Sequence, residues 1–98
     1  MSKKFQHLTS PGRIGTLETR NRMVVSAMGI NLANEDGTCG DRIVAFHERH
    51  AKGGVGLIVM GVTSIAWPCG ASIPRSVGIS EDKFIPGLKT MTTAVHHY

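Results

Sequence analysis

Leu57-Ile58-Val59-Met60 is an unbroken apolar run set between Gly53-Gly54 and Gly56 on one side and Gly61 on the other. It follows neither helical period nor polar/apolar alternation, and two of its members are β-branched. A short run of this kind predicts a strand buried on both faces, as in parallel sheets covered by helices. A buried helical turn is the competing reading, and the short length and flanking glycines disfavour it. Met23-Val24-Val25-Ser26-Ala27-Met28 is a second such run, predicted as a strand ending at Gly29. Before it, Ser10-Pro11-Gly12 marks a turn. Arg13-Ile14-Gly15 and Glu18-Thr19-Arg20 then flank Thr16-Leu17 as a small hairpin, although Thr-Leu is not a favoured two-residue turn.

Between the two runs lies a loop from Asn31 to Gly40, with Asp36-Gly37 as a turn pair. Asp41 can cap a helix through its carboxylate. Ile43, Phe46 or His47, His50 and Ala51 then fall on one helical face, and Gly53-Gly54 ends the helix. From Val62 to Ile85 there is little periodicity, and loops of this length are often functional. Pro86 suits a first helical turn, and Leu88, Met91 and Val95 form an apolar stripe. The order hairpin, strand, helix, strand, long loop, helix predicts an α/β chain with parallel strands. Two strands cannot make a parallel sheet covered on both faces. The chain therefore either dimerises extensively or forms the first part of a larger barrel or open sheet, and the second reading is preferred.

Composition narrows the function. The 98 residues are 41% hydrophobic and 18% charged, a globular balance. The net charge of +4 comes from scattered lysines and arginines with only five aromatic residues, which disfavours a nucleic-acid partner. No apolar stretch reaches membrane-spanning length and the N-terminus has no apolar signal region, so no membrane is expected and a cytoplasmic location is. Cys39 and Cys69 lack metal-type spacing and are expected as reduced thiols.

Most single candidates have ordinary explanations. His47 and His50 sit one helical turn apart without a third ligand at recognisable spacing, so no metal site is expected. Cys69 lacks a positioned base. Gly53-Gly54-Val55-Gly56 precedes a strand, whereas phosphate loops follow strands. Arg75 could reach an anionic substrate group from the long loop, against the default of a solvated arginine. Asp36 and Asp41 are explained by turn and cap roles.

Five stretches read together carry more. Ser10 to Gly15, Asn21 to Gly29, Glu35-Asp36-Gly37, Ala51 to Ile58 and Asp82 to Leu88 resemble, in order and spacing, the N-terminal part of the Old Yellow Enzyme family. The similarity is greatest to its NADH:flavin oxidoreductase and 2,4-dienoyl-CoA reductase branch. The resemblance implies an eight-stranded β/α barrel of the TIM type, (β/α)8, carrying FMN at the C-terminal strand ends. Residues 1–98 would be an incomplete N-terminal fragment of that single domain: hairpin, first strand, first helix, second strand, second helix. It further implies hydride supply from NADH or NADPH and reduction of an activated C=C bond in an enone or enoyl-thioester.

By the same resemblance Ser26, Ala27, Met28, Gly29 and Val62 would line the flavin. The family pattern at the first strand end is like Ala-Pro-Met-Thr; Ala27 replaces the proline here, and Gly29 brings no side chain where the family often has one. At the second strand end the family's glutamate is missing, leaving Gly61-Val62. The family's substrate-binding histidines, proton-donating tyrosine and phosphate-binding glycines would fall beyond position 98, so no catalytic residue is assigned, and Tyr98 is not the proton donor. The fragment alone is expected to be inactive, completed by a missing C-terminal barrel segment or covered in a homo-oligomer. A non-enzymatic truncated or split product, and a flavin-free barrel such as an aldolase, are the alternative readings.

Overall fold

The two apolar runs pair with each other. In the computed structural model, which describes residues 3–98, a short helical turn α1 (Gln6–Thr9) leads into a hairpin, β1 (Gly12–Ile14) and β2 (Leu17–Thr19). Strand β3 (Val24–Val25) follows, then helix α2 (Asp41–Lys52) and strand β4 (Leu57–Ile58). β3 and β4 are parallel, with Val24 opposite Leu57 and Val25 opposite Ile58. The loop beyond holds β5 (Thr63–Ser64) and β6 (Val77–Gly78), and helix α3 (Ile85–His96) comes last.

Several boundaries differ from the sequence pattern, each for a local reason. The hairpin turns on Gly15-Thr16, not Thr16-Leu17: Ile14 faces Leu17, and Gly15 takes φ +60°. Glycine at the first central position is what a tight two-residue turn favours. Helix α2 is preceded by Gly40 rather than capped by Asp41, which instead is its first residue, near the positive end of the dipole. Gly53 stays right-handed at φ −70°, and Gly54 takes the left-handed turn at φ +102°. Of Phe46 and His47 it is His47 that turns inward with Ile43 and Ala51.

The expected strands Met23–Met28 and Leu57–Met60 shrink to two paired residues each, though the Val59 N–H still donates to the Val25 carbonyl at 2.9 Å. Nor is the second strand buried on both faces. Leu57 and Ile58 are half-buried, and Val24 and Val59 are 53% and 44% exposed. The opposite face is covered: Met60 joins a core of Ala33, Cys39, Ile43, Val77 and Met91 under α2 and α3. Leu88 and Val95 pack against the same core, as the stripe on α3 predicts.

The long loop is more ordered than its lack of periodicity implies. β5 and β6 are parallel, Thr63 opposite Val77 and Ser64 opposite Gly78. A 3-10 turn, Asp82–Phe84, buries Phe84 to 1% exposure. Lys83 places its ammonium 5.0 Å from the Trp67 ring centre.

Two polar side chains tie the start of the sheet together. Asn21, 1% exposed, donates from Nδ2 to the Gly54 carbonyl at 2.6 Å and accepts from the Met23 N–H at 3.1 Å. Arg20 donates to the carbonyls of Ala51, Val55 and Tyr98, joining the hairpin to α2, β4 and the end of α3. The hairpin thus lies by the N-terminal ends of β3 and β4. It leaves Ile14 58% and Leu17 51% exposed.

The chain is open for its size. Its accessible surface is 6648 Å², against about 5,400 Å² for a compact monomer of this mass. Its radius of gyration is 14.9 Å, against about 13 Å. An open groove of about 300 Å³ runs between β4 and α3 past Ile58, Met60, Leu88 and Val95.

Candidate functional site

The C-terminal ends of β3 and β4 come together. Continuing their register places Met28 opposite Gly61 and Gly29 opposite Val62. The spacing agrees: a methyl group built on Gly61 would run into the Met28 carbonyl oxygen, and one on Gly29 would lie 3.2 Å from Val62 Cγ2 and 3.4 Å from Ile73 Cδ1. The two glycines leave the tips low and closely apposed. Ser26, Ala27, Met28, Gly29 and Val62 are all exposed, Met28 to 46% and Val62 to 39%. Five residues from two distant stretches are therefore all open to solvent at this end of the strands.

This arrangement suits a flat, mostly apolar ring system. No side chain rises at Gly29 or Gly61, and Met28 and Val62 are the apolar side chains next to them. Planar cofactor sites are built in this way, from close apolar walls with few polar groups.

Behind the tips sits a small cavity of about 10 Å³, lined among others by Met28, His47, Gly61, Val62 and Ser76. His47 is 3% exposed, and neither ring nitrogen has a hydrogen-bond partner. Burial, reinforced by the charge of neighbouring His50, pushes its pKa below the usual 6.5. The His50 Nδ1 lies 2.9 Å from the Phe46 carbonyl. The unfolded chain takes up a proton on His47 near pH 6.5, while the folded chain takes it up only at lower pH. Stability is thus complete above that value and falls as the pH drops through it toward the lowered folded pKa. The urea midpoint is expected to decline on acidification from neutral pH, and His47→Gln to flatten the decline. An equal slope in both proteins would remove His47 as its source.

Arg75 does not stand free. Its guanidinium meets Glu35 at 3.2 Å, its N–H donates to Asn31 Oδ1, and its carbonyl accepts from the Ala33 N–H. Such an exposed ion pair contributes between about 0 and 1 kcal/mol. Asp36 accepts from the Thr38 hydroxyl at 2.6 Å and from its N–H at 3.1 Å, and these bonds hold its carboxyl below the ordinary range. Cys39 is buried, which pushes its thiol up to about 11, and Cys69 is exposed; neither is in a disulfide. Among the described residues no group of three or more His, Cys, Asp or Glu could hold a metal, and no helix is long and apolar enough to cross a membrane.

Sequence reasoning passed over Asn21, Ser76 and Phe84. Asn21 opens the stretch Asn21 to Gly29, yet its role depends on Gly54 and Gly56, more than thirty positions away, and no local signal shows it.

Comparison with known proteins agrees with the fold. The profile of the NADH:flavin oxidoreductase / NADH oxidase family matches residues 7–98, and the chain belongs to that family. It is 39% identical over 94 residues to an NADH oxidase of Thermoanaerobacter brockii, covering 96% of this chain and 14% of that protein. It is 35% identical over 102 residues to a cinnamate reductase of Clostridium sporogenes, covering all of this chain and 15% of that protein. A solved complex of 2-naphthoyl-CoA reductase with 2-naphthoyl-CoA superimposes with a TM-score of 0.90 at 28% identity, covering 95% of this chain and 14% of that one. The chain thus spans about one-seventh of the length of these relatives. The Old Yellow Enzyme-like resemblance holds over nearly the whole chain, and the described residues form no closed barrel.

Proposed function

We propose that this chain forms the first part of a (β/α)8 barrel in an FMN-dependent oxidoreductase that takes reducing equivalents from NADH or NADPH and reduces an activated C=C bond. The observation that carries the reading is the apposition of Met28 and Gly29 with Gly61 and Val62 at the ends of two parallel strands, the end where such barrels do their chemistry. Names among the relatives support the substrate class: one is a cinnamate reductase and another holds an aromatic acyl-thioester. Both compounds carry unsaturated carbon conjugated to a carboxyl-level carbonyl, the activation that an enone or enoyl-thioester substrate would share.

Ser26, Ala27, Met28, Gly29 and Val62 would hold one edge of the flavin. Bound FMN supplies the hydride relay. The chain's own part is orientation and exclusion of water: Met28 and Val62 give the ring apolar contact, and the absence of a side chain at Gly29 leaves backbone groups there to meet it. The exposed faces of Val24 and Val59 and the groove beside α3 are surfaces that further barrel strands would cover, from a following segment or from a partner copy. The 98 residues alone are accordingly inactive, and the whole protein works in the cytoplasm.

A chimera tests this. The matched segment of the Thermoanaerobacter NADH oxidase is replaced by this chain, and FMN is measured by its visible absorbance after gel filtration. Near-stoichiometric FMN is expected. Val62→Arg, which sets a long charged side chain against the ring, is expected to cut FMN content at least about tenfold while the circular dichroism of the barrel persists. Full FMN retention in the folded Val62→Arg chimera would sink the assignment.

A further inference from the structure

We propose that His47 and Ser76 jointly hold one internal water molecule behind the strand tips, and that this water joins helix α2 to the segment entering β6. Both residues are nine-tenths buried or more, His47 at 3% and Ser76 at 2% exposure. Both carry side-chain polar atoms with no hydrogen-bond partner: His47 Nδ1 and Nε2, and Ser76 Oγ. Both line the same cavity of about 10 Å³. That volume sits at the lower limit for one water, and a water needs two to four polar partners to stay.

One water can bridge the Ser76 hydroxyl and one of the two His47 ring nitrogens. Burial favours the uncharged imidazole, which has one donor and one acceptor nitrogen, and a serine hydroxyl both donates and accepts. A single water can accept from one of these groups and donate to the other. Buried polar groups in native proteins are almost always satisfied by protein or ordered water, and here the two orphans share one space. The remaining lining near them is largely apolar, from Met28, Ile43, Met60 and Val77, so His47 and Ser76 are the groups that would supply a water's polar partners. Asn31, also on the cavity, already uses its Oδ1 to accept from Arg75.

The cavity shares Met28, Gly61 and Val62 with the strand tips, but the two residues that would hold the water, His47 and Ser76, are not among those assigned to the flavin. The water site concerns the space between the sheet and α2, and it stands or falls on its own measurement.

The test is nuclear magnetic resonance on the full chain labelled with nitrogen-15, or on the chimera above if the chain alone gives undispersed spectra. A neutral His47 ring is expected, with a cross-peak from one of its protons or the Ser76 hydroxyl to a long-lived water. Single variants His47→Leu and Ser76→Ala are each expected to lower the folding equilibrium constant by about fivefold or more, since each leaves the other group short of a partner. The double variant is expected to cost clearly less than the product of the two, because removing both ends of a bridge leaves nothing orphaned. Strictly multiplicative losses, the absence of any water cross-peak, a direct His47–Ser76 hydrogen bond, or a partner for His47 from residues outside this segment would each overturn the proposal.

Discussion

Replacing Gly61 with alanine is expected to destabilise the chain by about 3 kcal/mol or more, at the upper end of overpacking effects. The new methyl group would be driven into the Met28 carbonyl oxygen, with the Met28 carbonyl carbon 2.6 Å away. What it meets is the backbone of the neighbouring strand, not the end of a flexible side chain, so no rotamer change relieves the clash. The strand tips must separate, and the nearby hydrogen bond from Val59 to Val25 goes with them. Two other glycines calibrate the effect. Gly53 is right-handed, and a methyl there would lie 3.4 Å from its nearest neighbour, so Gly53→Ala should change little. Gly54 has open space but φ +102°, so Gly54→Ala should cost about 1 kcal/mol through backbone strain alone. Urea midpoints of the three variants, read beside wild type, check the ranking. A Gly61→Ala protein as stable as Gly53→Ala would mean that the tips do not meet. In the flavin-binding chimera the same substitution is expected to abolish FMN retention, because it parts the two halves of the wall.

The presence of the two strands, the extent of α2 and the stripe on α3 were legible because each is written in residues close together in the chain. Leu57 to Met60 announces a strand by its uninterrupted apolar character, and Leu88, Met91 and Val95 announce a helix face by spacing. What escaped depends on distance. Only the register of β3 on β4 sets Met28 against Gly61, and only the folded loop shows Val77 and Gly78 paired with Thr63 and Ser64. The sequence pattern also assigns β4 two buried faces, because such runs commonly lie inside complete sheets. Here one face stays open at Val24 and Val59. The candidate site rests on resemblance alone: composition and periodicity never distinguished Met28 or Val62 from core residues.

Phe84→Ala is the second large effect, expected at about 3–5 kcal/mol. Phe84 has 1% of its surface exposed, among the least of any large side chain in the fold. Its ring approaches Gly78 so closely that a methyl group there would lie 2.6 Å from Phe84 Cζ, and it meets Trp67 edge-on at 5.9 Å between ring centres. Trp67 in turn covers Gly37, where a methyl group would lie 2.7 Å from the indole. The ring is therefore the common support for β6, for Trp67 and for the Gly37 turn, which itself accepts from the Gly78 N–H at 2.9 Å. Truncation opens a cavity that Gly78 cannot fill and that Trp67 can fill only by leaving Gly37. Phe84→Leu retains most of the volume and should cost under about 1.5 kcal/mol. The loss should also be uneven. β5 begins directly after Val62, so loosening the β5–β6 pair should expose the segment from Ile65 to Ser76 to protease well before α2 or the hairpin is cut. Limited proteolysis of Phe84→Ala beside wild type reads this directly. Uniform cleavage along the chain, or a stability loss below about 1 kcal/mol, would show that the long loop holds its shape without the ring beneath it.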